Sequence, residues 1–196
     1  DHKLSLGMNG MSLADFPAKR LGELLKASGI RNQIVVVSAC YSGGFVPALQ
    51  GERTWVITAA SADRTSFGCA DDNQFTYFGR ALFKDALAES TTLSQAVARA
   101  DQLVREREDN EAAKAQASEV TRQPARRSAK TRPAPAPTDG SPQAKESATQ
   151  KTEPSWRSLP QSSVTPAFQA EVDAWFSQHP PVAAGCKSAA RAPSGG

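Results

Sequence analysis

Cys40 is the residue with the clearest capacity for chemistry. It closes the segment Gln33-Ile34-Val35-Val36-Val37-Ser38-Ala39-Cys40, and the small residues Ser42, Gly43 and Gly44 come soon after it. A thiolate presented on a tight turn can attack a carbonyl carbon and form a thioester, given a histidine that holds the sulfur as thiolate and moves the proton. The chain offers two histidines, His2 and His179. Gly43 and Gly44 would let the backbone come close to a ligand. The same residues admit two other readings. Free cysteine commonly packs as a small buried hydrophobe. A Ser/Gly-rich turn after a strand can also cradle a phosphate, although no lysine follows here as in a P-loop.

The elements around Cys40 determine where it would sit. The unbroken Ile/Val run predicts a strand buried on both faces, as in the middle of a parallel sheet. Open α/β sheets carry their chemistry just beyond the carboxyl ends of such strands. Residues 55–60 predict a second buried strand, and residues 4–6 a short one. Asp15 is expected to cap a helix with Pro17 in its first turn, Leu21, Leu24 and Leu25 on its inner face and Gly29 at its end. A short helix over 45–49 would turn its positive end towards Cys40. Tyr77, Phe78, Leu82 and Phe83 stand at helical spacing within 75–88. Ala96, Val97, Ala100, Leu103 and Val104 do the same from 94 to about 108. Strands alternating with helices give an α/β class.

Three stretches, VVVSACYSGG, VITAASADRTSFGC and FTYFGRALF, occur in that order between about Leu25 and Leu87. In these the chain resembles the legumain-like cysteine peptidases, family C13, and the bacterial members more than the plant or animal enzymes. The resemblance implies a caspase-like α/β sandwich with a mainly parallel sheet, incomplete at the N-terminus of this sequence. It also implies a cysteine-type endopeptidase working through a Cys-His dyad. Cys40 takes the place of the nucleophile, and its own N–H, with one beside the histidine, would hold the oxyanion. The family's catalytic histidine belongs to a His-Gly pair about forty residues before the cysteine. His2 is near that distance but is followed by Lys3. The expectation is therefore a catalytic histidine upstream of Asp1 and a fragment inactive by itself, with His2 as the alternative base.

Specificity follows from the same comparison. The plant and animal relatives cut after Asn. Their pocket uses an acid two residues before the cysteine, a serine in the next loop and an Asp in the following helix. By order these positions match Ser38, Ser66 and Arg80. The resemblance thus implies cleavage after Asn or Asp. An Arg80 that faces the pocket would favour an acidic side chain; one that faces solvent would have no such effect.

Beyond Glu111 the composition shifts to Ala, Pro, Ser, Lys, Arg, Gln and Thr, and 112–153 is expected to be a disordered linker or insertion after a peptidase-like region over 1–111. Its basic residues Arg122, Arg126, Arg127, Lys130 and Arg132 have no interleaved aromatics, so no nucleic-acid partner is expected. Trp156 and the pattern Phe168, Val172, Trp175, Phe176 mark a return of the domain over 154–182, as a short strand and a final helix. His179 is expected in solvent and 183–196 as a tail. The net charge of +3 comes largely from these polar segments and names no partner. Three well-separated cysteines, Cys40, Cys69 and Cys186, imply no disulfide framework, and Cys69 reads as a packing residue. No metal and no cofactor is expected, and the expected partner is a peptide or protein substrate. No run of about twenty apolar residues is present to span a membrane, while some bacterial members carry such a segment ahead of the catalytic region. No compartment is assigned. Two other classes stay open: a catalytically silent binding or regulatory domain of the same fold, and a nucleotide-binding α/β domain using the turn at 42–44.

Overall fold

The computed structural model describes residues 2–5, 7–8, 11–12, 14–68, 74–122 and 153–179. The expectations for Cys69, Cys186, residues 123–152 and the tail at 183–196 lie outside the described residues. Near the start, β1 (Lys3–Leu4) pairs antiparallel with β4 (Phe16–Pro17), and β2 (Gly7–Met8) pairs antiparallel with β3 (Met11–Ser12) between them. The first helix, α1 (Ala18–Ala27), begins after Pro17, which occupies the cap position in extended conformation. Asp15 does not cap it. A residue before proline is pushed out of the helical region, so Phe16 joins the β1–β4 ladder instead, and Asp15 pairs with Lys3. Gly29, at φ 72°, follows the helix in the left-handed conformation that glycine tolerates.

The central sheet runs β5 (Gln33–Val37), β6 (Thr54–Thr58), β7 (Gln161–Ser163). β5 and β6 are parallel, with Val37 opposite Thr58. β7 is antiparallel to β6, with Thr58 opposite Gln161. The described sheet therefore has one parallel and one antiparallel pair. β6 is the central strand and is buried from Trp55 to Thr58. β5 is not buried on both faces as its composition predicts. It is an edge strand among the described residues, and Ile34 is 45% exposed.

Helices cover both faces of the sheet, giving a mixed α/β fold. On one face Val37 and Val56 pack with Ala18 of α1, with Phe45, which ends the 3-10 turn Ser42–Phe45, and with Leu49 of α2 (Val46–Leu49). On the other, Trp55 and Ile57 meet three further helical elements. The first is α3 (Tyr77–Gly79), which passes into a π-helical stretch, Arg80–Ala86, and then α4 (Leu87–Glu89). Phe78, Ala81, Leu82 and Ala86 take its inner face, while Phe83 is 56% exposed and does not join the core. The second is α5 (Leu93–Arg122), whose Ala96, Ala100 and Val104 are buried. It continues past Glu111 into the segment expected to be linker, because Ala, Lys, Gln and Glu there are strong helix formers. The third is α6 (Pro166–Gln178), capped by the Thr165 hydroxyl, which accepts from Phe168 N–H. Arg53 fastens α6 to the sheet by a two-pronged bond to Glu171 at 2.6 and 2.8 Å. Trp175 is exposed and stacks on His179, 4.5 Å between ring centres. Among the described residues no helix is long and apolar enough to cross a membrane.

The segment from Glu153 to Ser158 lies along α5 and is pinned by charge. Arg157 pairs with Asp109 at 2.7 Å and with Glu153 at 3.1 Å, and Arg105 joins Glu153 at 3.1 Å and Asp101 at 2.9 Å. Among these groups lies Glu108, 2% exposed, whose Oε1 accepts the Ser158 N–H at 3.0 Å. Burial pushes its pKa up. The Ser158 N–H bonded to Oε1 and the positive charges of Arg157 and Arg105 only partly oppose that. A carboxyl whose native pKa lies above its unfolded value binds more protons when folded. Its contribution to stability is therefore fully present below the ordinary glutamate value and is lost as pH rises through the raised native one. Urea midpoints measured across this range should fall with rising pH more in the native chain than in Glu108→Gln. Parallel curves would place the shift elsewhere.

Candidate active site

Cys40 lies just past the end of β5, and the chain turns sharply there. Tyr41, the next residue, has φ 57° and ψ 20°, a left-handed conformation that costs a non-glycine residue free energy. Bonds from the loop after β6 hold that turn. Tyr41 N–H donates to Arg64 C=O at 2.7 Å, Gly43 N–H to Ala60 C=O at 2.8 Å, and the fully buried Ser42 hydroxyl accepts from Ala60 N–H at 3.1 Å. Gly43 is required by space: a Cβ there would lie 2.6 Å from Ala62 N and 2.8 Å from Ser61 C. The turn and the loop at 59–66 are thus packed backbone to backbone.

This packing brings Cys40 and Ser66 together. The Ser66 N–H points at the Cys40 sulfur at 3.3 Å, and the Sγ–Ser66 C=O distance is 3.5 Å. Cys40 is partly exposed and is a free thiol. Its own N–H has no hydrogen-bond acceptor among the described residues, whereas those of Tyr41, Gly43 and Gly44 are all engaged. A partly exposed sulfur with an unspent backbone donor on the same residue can form an acyl intermediate and hold the oxygen of the tetrahedral species. The engaged amides of Gly43 and Gly44 are not free to bind phosphate oxygens.

The other sequence-predicted residues are distributed around this centre. The His2 ring lies flat against Gly44, where a Cβ would come within 2.2 Å of Cδ2. Its Nε2 is 3.1 Å from Ala62 C=O, and since a carbonyl only accepts, Nε2 is the donor. His2 C=O accepts from Ala18 N–H at 2.9 Å. His2 therefore braces the Cys40 turn, with Nε2–H spent on the neighbouring loop. Ser38 bonds to Thr76 Oγ1 at 2.8 Å, and Thr76 also accepts from Gly79 N–H at 3.0 Å. Thr76, which no local sequence pattern singles out, so links Ser38 to the start of α3. Arg80 stands on the exposed side of the π-helical stretch, with Nε 3.7 Å from Asp85. His179 is on the far end of α6. Among the described residues no group of three or more His, Cys, Asp or Glu side chains converges as a metal site would.

Cys40 thus stands at the carboxyl end of β5, on a strained turn and against the serine of the next loop. A model of the peptidase C13 family matches residues 3–124. The chain belongs to that family. The matched span runs from β1 beyond the end of α5, so it takes in Cys40, Ser66 and Arg80 on their own elements. No curated protein and no solved structure matches the chain. As a C13 member it belongs among cysteine peptidases, whose substrates are peptides or proteins.

The close approach at Gly43 gives a direct test. In the C13 chain Gly43→Ala drives a methyl group into the backbone of Ser61 and Ala62, costing about 1–3 kcal/mol as overpacking does. Urea unfolding should show that loss, and alkylation of the peptide containing Cys40 should change in rate with it. A variant as stable as the parent would show that the two loops are not locked together at this point.

Proposed function

We propose that this chain carries the nucleophile of a cysteine endopeptidase that cuts after Asn or Asp. The single observation behind the reading is the placement of Cys40, with its unspent N–H, beside Ser66 at the ends of two parallel strands. The Cys40 thiolate adds to the scissile carbonyl and the oxyanion takes the Cys40 N–H. The C–N bond then breaks as an imidazolium protonates the leaving amine, giving a thioester. The resulting imidazole takes a proton from water as its oxygen adds to the thioester carbonyl, the C–S bond breaks, and the acid product leaves with the Cys40 thiolate and the imidazolium restored.

The imidazole is read as coming from a histidine outside the given sequence, because His2 is followed by Lys3 where the family's His-Gly pair has glycine. The edge of β5 that carries no strand among the described residues offers a place for the strand that would carry it, within a caspase-like, mainly parallel sandwich. The segment after residue 153 is read as part of the same domain, supported by β7 on β6 and by Ser94 N–H bonded to Asp173 of α6 at 2.9 Å. Ser38 and Ser66 are the hydroxyls proposed to meet an Asn or Asp side chain, with Thr76 orienting Ser38. Arg80 is the group proposed to favour Asp, in competition with its contact to Asp85.

Peptides with Asn or Asp before the scissile bond test this in the protein carrying the sequence. Cleavage is expected, with Cys40→Ala losing at least about a thousandfold in kcat/KM. His2→Ala should leave the chemical step intact; a loss as deep as that of Cys40→Ala would make His2 the base. Arg80→Asp should shift the preference from Asp towards Asn, and an unchanged ratio would remove Arg80 from the pocket. An ordinary, alkylatable Cys40 with no cleavage of either peptide would favour the silent binding domain.

A further inference from the structure

Position 108 continues the inward stripe of α5, one turn after Val104 and two after Ala100, both buried. Packing alone would call for an apolar side chain there. It carries Glu108, a buried carboxylate, and desolvating such a group is costly unless it makes specific bonds. Its Oε2, like the Ser158 hydroxyl beside it, has no hydrogen-bond partner among the described residues. Its Oε1 holds Ser158 N–H at 3.0 Å. The carbonyl of Ser158 in turn accepts from Ser61 N–H at 2.9 Å. Leu159 follows at φ 54°, a strained conformation in which the chain leaves this double attachment.

Ser61 opens the loop that faces Cys40. Arg64 in the same loop donates to Pro154 C=O at 2.8 Å and accepts from Tyr41 N–H at 2.7 Å, and Ser66 N–H reaches the Cys40 sulfur at 3.3 Å. The positive charges of Arg157 and Arg105 act on Glu108 from nearby. Their own pairings with Asp109, Glu153 and Asp101 hold the 153–158 segment against the helix.

We propose that Glu108 is a positioning residue for the nucleophile: through the Ser158 peptide it fixes Ser61, and with it the loop that presents Ser66 to Cys40. The proposal rests on reading Cys40 as the nucleophile, but its test does not use turnover. In the full chain, iodoacetamide alkylation of the Cys40 peptide is timed at one pH by mass spectrometry, with urea midpoints and amide exchange at Ser61 measured alongside. Glu108→Leu, which keeps the packing and removes the acceptor, should slow Cys40 alkylation about tenfold, as displaced catalytic groups do, and speed exchange at Ser61. Glu108→Gln keeps Oε1 as acceptor and should stay within about twofold of the parent. Val104→Ala, which loosens the same helix without touching the relay, should lower the urea midpoint and leave alkylation unchanged. Alkylation at the parent rate or faster in folded Glu108→Leu overturns the proposal, as does equal slowing in Val104→Ala. If Glu108→Leu does not fold, Glu108→Asp withdraws the acceptor by one methylene, and a parent-like rate and exchange there overturn it equally. Slowed alkylation in Glu108→Leu, with no peptide cleavage by the unsubstituted protein, would sink the peptidase reading and uphold this one.

Discussion

Parallel pairing of β5 with β6, Val37 opposite Thr58, is the constraint on which the rest of the structure depends. Two parallel strands release their chains at the same edge of the sheet. One exit becomes the Cys40 turn and the other the loop at 59–66, and neither can move without the other. Their shared hydrogen bonds, from Tyr41 to Arg64 and from Gly43 to Ala60, offset the strain at Tyr41. An antiparallel pairing would have sent one of these exits to the opposite end, leaving Cys40 without Ser66.

The same edge gathers pieces from distant parts of the chain. His2 lies on Gly44, Gln161 closes over Gly43, and Ser158 is bonded to Ser61. The first two are side chains lying where only glycine leaves room, and the third is a bond between two backbones. The apolar cores on the two faces of the sheet supply the stability, while polar contacts set the geometry at its end. This division suits a site that must keep backbone donors unspent in a fixed place.

Much of this was legible from composition because β-branched runs and 3.6-residue spacing are local signals. β5 and β6 announce themselves through Ile34–Val37 and Val56–Ile57, and α5 through Ala96, Ala100 and Val104. What was not legible depends on partners far along the chain. Asp15 has the chemistry of a cap, yet Phe16 before Pro17 is drawn into a ladder with Leu4. Phe83 has the spacing of a core residue, yet the wider π winding leaves Phe78, Leu82 and Ala86 to fill that face. The Ser38–Thr76 bond joins residues 38 apart in sequence, and the Glu108–Ser158 bond joins residues 50 apart. Nothing in the neighbourhood of either residue signals such a partner. The resemblance carried by the motifs around Cys40, Cys69 and Phe78 supplied the family where periodicity supplies only a class.

A stretch wound with i→i+5 bonds holds one residue more than an α-helix would between the same two flanks. Over Arg80–Ala86 this surplus is absorbed without displacing Phe78 on one side or Leu87 on the other. Loss of a single residue here would let the stretch relax to ordinary α winding with both flanks in place. The same loss within α5 would rotate everything beyond it by about 100° and carry the Ala96–Ala100–Val104 stripe off the sheet. Chain length can therefore change beside Arg80 at less cost to the fold than beside Val104.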